Sequence, residues 1–339
     1  MDRKQFLSTA LGVVAGAASA PLADLVVPTE QTPLPAVVGR FEIEQIQAAT
    51  RAFEACDREH GGGMLREAVE AQLRRSVALL DASCPLRLRS ELLTAVGHLG
   101  HTAGFMAFDA FAHHDAQKLF QLTLACAEQA ENWHLRAGAL ASLARQAFWQ
   151  GDFDNALTYI EYGLVRADRL VPTERAMMSA VRARALARLG RVHDTAAAVG
   201  RADDEFARAS SVNDPAIIEW YDLAEHEGEV GHALADLASH GAFVTEASTR
   251  LASAQAGFGE VFVRARTFCQ IRLASHTLET GDPHEAIALA EQPLQISTSL
   301  RSRRVTQDLG RLHALAARHR TVPGIAELRT RIRHTVEVP

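Results

Sequence analysis

Residues 140–160 read LASLARQAFWQGDFDNALTYI, and this stretch decides the fold. Leu140, Leu143 and Ala144 recur at helical spacing, Gly151 interrupts the run, and Ala156 and Ile160 resume it four residues apart. The pattern predicts two helices joined by a tight turn. Gly190, Gly228 and Gly281 are read in the same way, each closing one helix-forming run and opening another. Thr195, Ala233 and Ala286 stand five residues behind them, as Ala156 stands behind Gly151. The steps between the four glycines are 39, 38 and 53 residues. A repeat of roughly 34–47 residues with one turn per unit marks a helical-hairpin solenoid. The predicted fold is therefore all-α, with stacked hairpins that leave a concave surface suited to binding.

The flanking sequence continues the pattern. Residues 41–60 read as an amphipathic helix stopped by Gly61-Gly62-Gly63. Leu65, Val69, Leu73 and Val77 form an apolar stripe at steps of four. Residues 86–111 read as a long helix whose small residues, including Gly97, Gly100 and Gly104, admit a close neighbour; 112–115 is the turn and 116–130 the return. The extra length in the 53-residue step is assigned to one further helix between Gly241 and Phe258. Residues 301–318 and 324–336 are expected to close the array as a polar cap.

Composition narrows the function. The chain has 339 residues, 47% of them hydrophobic, enough to bury a sizeable core. Its 35 basic residues are outnumbered by 41 acidic ones, a balance that disfavours direct DNA binding. Cys56, Cys84, Cys126 and Cys269 lie far apart, in neither a zinc pattern nor a disulfide framework. No run of 18 apolar residues indicates a membrane span. Two regions follow: residues 1–40, an apolar N-terminal segment and Pro-rich linker, and residues 41–339, the helical repeat domain. The first twenty residues imitate a secretory signal, with Arg3 and Lys4 ahead of an apolar run and Ala18-Ser19-Ala20 as a cleavage site. Pro21 just after that site hinders cleavage.

The segment Gly151-Asp152-Phe153-Asp154-Asn155-Ala156 resembles the inter-helix turn of tetratricopeptide repeats, and Gly281-Asp282-Pro283 with Ala286 and Ala290 echoes it. A wider resemblance rests on Asp2-Arg3-Lys4-Gln5-Phe6-Leu7, Asp57-Arg58-Glu59-His60-Gly61-Gly62-Gly63, Phe105-Met106-Ala107-Phe108-Asp109 and Trp220-Tyr221-Asp222-Leu223-Ala224-Glu225. In these strings the chain is similar to the C-terminal tetratricopeptide-like array of actinobacterial Xre-type helix-turn-helix transcriptional regulators. The resemblance implies a cytoplasmic sensor or protein-interaction module in transcriptional regulation, with a possible homodimer. It also implies a DNA-binding domain ahead of the D-R-x-x-F-L string, at which this chain starts. Either that domain is encoded elsewhere, the chain is a truncated product, or the array stands alone. The apolar string is internal in the family, so export of the protein is the alternative rather than the leading expectation.

Candidate sites divide into three kinds. Trp133, Trp149, Tyr159, Trp220 and Tyr221 are candidate anchors for a peptide, small molecule or partner protein in the groove. Arg184 joins them, since Arg182, Arg184 and Arg188 either form a solvated face or capture a carboxylate or phosphate. His98 and His101, and Asp222, His226 and Glu229, have the helical spacing of metal ligands and support the alternative of a metal-dependent enzyme. The same spacing serves ordinary side-chain pairing. No catalytic residue or cofactor is expected: the nucleophile elbow, the Walker loop and the dinucleotide fingerprint are missing.

Overall fold

Helix follows helix from Arg40 to Glu337. The computed structural model describes residues 33–238, 241–300 and 302–337. The readings of the signal-like segment, most of the Pro-rich stretch and Arg301 lie outside these residues. Contacts divide the chain into Met1–Ala36 and Val37–Pro339, and the second unit is the one described below. Fourteen α-helices and no strand occur among the described residues. The only extended pairing found there is an isolated bridge between Val37 and Ser83. No described helix is long and apolar enough to cross a membrane.

Two helices, α1 (Arg40–His60) and α2 (Arg66–Ala78), lead into six packed pairs. These are α3 (Leu86–Asp109) with α4 (His113–Gln129), α5 (Trp133–Trp149) with α6 (Phe153–Leu164), and α7 (Pro172–Arg188) with α8 (Val192–Phe206). They continue as α9 (Leu223–Ala238) with α10 (Val244–Gly257), α11 (Val263–Thr280) with α12 (Pro283–Ser297), and α13 (Arg303–Ala316) with α14 (Ile325–Glu337). The first helix of a pair also packs on the first helix of the next.

Four turns share one design. Gly151 adopts φ +84°, its N–H donates to Phe148 O, and Asp152 N–H donates to Ala147 O. That is the Schellman arrangement, which satisfies carbonyls the helix end leaves open. Phe111, Glu131 and Gly190 repeat it at φ +62°, +53° and +71°. After two of these turns the next helix is capped by a side chain: Asn132 Oδ1 accepts from Leu135 N, and Asp152 Oδ1 from Asn155 N. Small residues behind each turn let the paired helices touch. Ala116, Ala156, Thr195, Ala247 and Ala286 are all enclosed.

One glycine departs from the sequence reading. Gly228 does not close a helix; it lies inside α9, where an added Cβ would meet Cys269 Sγ at 3.0 Å. The turn after α9 is at Gly241, φ +80°. The turns of the first five pairs therefore fall at Phe111, Gly151, Gly190, Gly241 and Gly281, at steps of 40, 39, 51 and 40 residues. The helix between Gly241 and Phe258 is simply the second member of its pair. The extra length sits earlier, in residues 207–222, which form two 3-10 turns.

The last pairs return to the first. α11 packs on α1, and Arg264 of α11 reaches Asp57 of α1 with Nη1 and Nη2 at 3.0 and 2.7 Å. Ser302 and Arg304, expected in a polar cap, are buried and hydrogen-bond Asp109 at the end of α3.

Candidate functional site: an arginine-lined interior cavity

Helical spacing aligns charge along the inward faces. On α9, Glu225, Glu229, His232 and Asp236 succeed one another at steps of four, three and four. Arg184 and Arg188 do so on α7, and Asp308 and Arg311 on α13, with Arg318 in the 3-10 turn that follows it. These rows meet in one ionic network. Glu229 accepts from Arg145 Nε and Nη2 at 3.1 and 3.0 Å, and from Arg184 Nη1 at 2.9 Å. Burial pushes its carboxyl up, but the two guanidinium groups outweigh this and bring it down to about 2. Glu225, one turn earlier, has no such clamp. Burial and the neighbouring Glu229 charge push it up to about 8. His232 is held well below the usual range by burial and by Arg184 and Arg272, so it stays neutral.

Beyond Glu229 the network opens into a cavity of about 360 Å³ between α5, α7, α9, α11 and α13. That volume lies within the roughly 300–1,000 Å³ of small-molecule sites. Phe148 and Trp149 form one wall, and Arg184, Arg188, Arg272, Arg311 and Arg318 converge on the space. Aromatic faces carry several of these cations. Arg184 lies 4.6 Å from the Phe148 ring centre, Arg188 4.6 Å from that of Phe153, and Arg311 5.3 Å from that of Trp149. Asp236 accepts from Arg272 Nη2 at 2.5 Å, and Asp308 from Arg311 Nη1 at 2.9 Å. The Nε atoms of Arg184 and Arg272 are buried and hydrogen-bond to no described residue.

The sequence candidates scatter around this site. Trp149 and Arg184 line the cavity together. Trp220 does not line it; it lies under Arg145 at 5.5 Å, on a separate crevice of only about 10 Å³ shared with His101. Tyr221 is core, its hydroxyl 3.1 Å from His226 Nδ1. Tyr159 packs among three apolar clusters, and Trp133 lies under Arg136 and Arg166. The histidine candidates are separated. His98 pairs with Glu54 at 3.0 Å and His101 with Ser142 at 2.9 Å. His226 stacks on Phe206 and bonds Asp203, Asp222 accepts from the Glu225 N–H, and Glu229 is committed to arginines. Among the described residues no three His, Cys, Asp or Glu side chains converge as a metal group would require.

Arg145, Asp236, Arg272 and Asp308 were not singled out by sequence. Their only signal was charge at helical spacing, which an exposed face also produces. No protein-family model matches this chain, and no curated protein matches it in sequence.

Proposed function

We propose that the chain is a tetratricopeptide-like array that senses a ligand inside its curve, as the regulatory half of a transcriptional control system. One observation carries the reading. An open, charge-lined cavity of about 360 Å³ lies where five helices from five pairs meet. A ligand there touches elements far apart in sequence, so its binding energy can change how the pairs sit on one another. Such a change requires different affinities in two arrangements of the pairs. The regulatory half of the proposal rests on the resemblance of the quoted strings to Xre-type regulators.

Hydrogen exchange tests it. Purified protein is incubated with fractionated small molecules and short peptides, and amide protection is compared with the free chain. Protection gained jointly by Arg184–Arg188, Arg272–Glu279 and Arg311–Arg318 is the expected result. Protection confined to the second helices of the pairs, or no change with any fraction, rejects the proposal.

A further inference from the structure

Resting on the reading of the cavity as a ligand site, we infer that its ligand is a small organic oxyanion. A phosphate or carboxylate head group would be clasped by Arg188, Arg272, Arg311 and Arg318.

The charge count points this way. Five arginines line the space against three carboxylates, Asp236, Glu279 and Asp308. Glu229, outside the lining, answers Arg184, and His232 adds no negative charge. Arg318 has no acidic partner among the described residues, and Arg188 comes only within 3.9 Å of Asp236. The cavity is therefore cationic within a chain whose formal net charge is −6. Non-specific attraction of anions to the chain as a whole does not follow from that sign.

Hydrogen bonding gives an independent reason. The Nε donors of Arg184 and Arg272 are buried without an acceptor among the described residues, and a buried donor left unmade is costly. An oxyanion supplies several acceptor lone pairs in the fork geometry a guanidinium matches. The cations are also positioned in advance. Phe148, Phe153 and Trp149 lie beneath Arg184, Arg188 and Arg311, so the ring faces carry guanidinium planes instead of offering themselves to a ligand. Ile271, Ala314 and Leu315 supply an apolar strip against which the uncharged body of the ligand can lie.

The full chain is titrated with inorganic phosphate, pyrophosphate and citrate, with sodium chloride at matched ionic strength as the blank, following thermal midpoint and tryptophan fluorescence. The Arg311→Ala/Arg318→Ala double variant removes two exposed cations at the cavity mouth. Arg272→Gln removes an interior one, and Arg201→Ala is an exposed control elsewhere. Saturable binding by wild type and Arg201→Ala, weakened about tenfold or more in the other two, is expected from the loss of charge-assisted pairs. Saturation by the phosphates identifies a phosphoryl head group, and saturation by citrate alone a carboxylate. Equal binding by wild type and both cavity variants, or no saturation with any oxyanion, overturns the inference. An uncharged compound that protects the cavity helices while no oxyanion binds overturns it too, and leaves the binding-module reading standing.

Discussion

Asp109, enclosed at the end of α3, accepts a 2.8 Å hydrogen bond from Arg304 Nε at the start of α13, 195 residues further along the chain. Ser302 Oγ donates to the same carboxylate oxygen at 2.7 Å, and Gly62 N–H to the other at 3.3 Å. Arg264 lies 3.5 Å from it while clasping Asp57. Burial pushes the Asp109 carboxyl up, but Arg264 and Arg304 prevail and hold it below the ordinary aspartate range. Removing one partner of such a pair leaves an uncompensated buried charge, at roughly 3–5 kcal/mol.

Asp109→Ala is therefore expected to lower the unfolding free energy by about that amount in urea titrations. It should also loosen the contact between the first and last pairs, seen as faster amide exchange in α1 and α13. A loss below about 1 kcal/mol, the scale of a surface pair, would show that the cluster does not hold these ends together.

The turn and the small residue behind it make separable contributions. Ala156 is enclosed with Ala147 and Ala185, so Ala156→Leu overpacks the interface of α5, α6 and α7 by about 1–3 kcal/mol. Asp154 is exposed, and no hydrogen bond to its carboxylate is found among the described residues, so Asp154→Ala should change stability little. Thermal melts of the two variants decide the matter. Equal effects would count against the register in which Ala156 faces its neighbours.

What the sequence disclosed depended on whether a residue has one meaning or two. Gly151, at a turn with φ +84° and open space around it, is legible because glycine alone takes that conformation cheaply. Phe111 and Glu131 make the same turn without glycine, so neither residue marks it, and the first of these turns was read slightly late, at 112–115. Gly228 was misleading because glycine also serves helix interiors where another helix comes close, here at Cys269. The cavity was the least legible part. Arg184 and Glu229 look like solvated charges on their own helices, and become a buried pair only because α7 packs on α9, 45 residues later.

Glu225 gives the protein a pH dependence of definite sign. Its folded pKa of about 8 lies above the ordinary 4.5, so the unfolded chain loses this proton first and stability falls as pH rises between those values. Burial is the main cause; Glu229 and Asp222 add to it, and Arg145 and Arg264 oppose it. His101, lowered by burial from 6.5 to about 3, acts in the opposite direction, and only below pH 6.5. His134 is raised chiefly by its hydrogen bond to Glu174, so its contribution also fades as pH rises through its folded pKa. Thermal midpoints are thus expected to fall from pH 6.5 to 8, and Glu225→Gln should flatten most of that fall. The same slope in wild type and variant would sink the assignment.

Duplex DNA offers the last test, because the interior cations have other commitments. The chain carries 35 basic and 41 acidic residues, and a phosphate backbone is held by unpaired surface cations. Near the C-terminus, Arg304 is buried against Asp109, Arg311 pairs with Asp308, and Arg331 pairs with Glu291 through both of its terminal nitrogens. Arg303, Arg318, Arg320 and Arg333 are exposed, but they are few, and Arg318 belongs to the cavity mouth. Even dedicated binders hold non-specific DNA at only about 10⁻⁴–10⁻⁶ M at physiological salt. Mobility-shift assays with random and genomic duplexes should therefore show no retardation at micromolar protein. Any control of transcription would then pass through a partner or a DNA-binding domain joined to this array. Tight, sequence-selective retardation by these 339 residues would overturn that view, and substituting Arg303 and Arg320 would be the first step in locating the surface responsible.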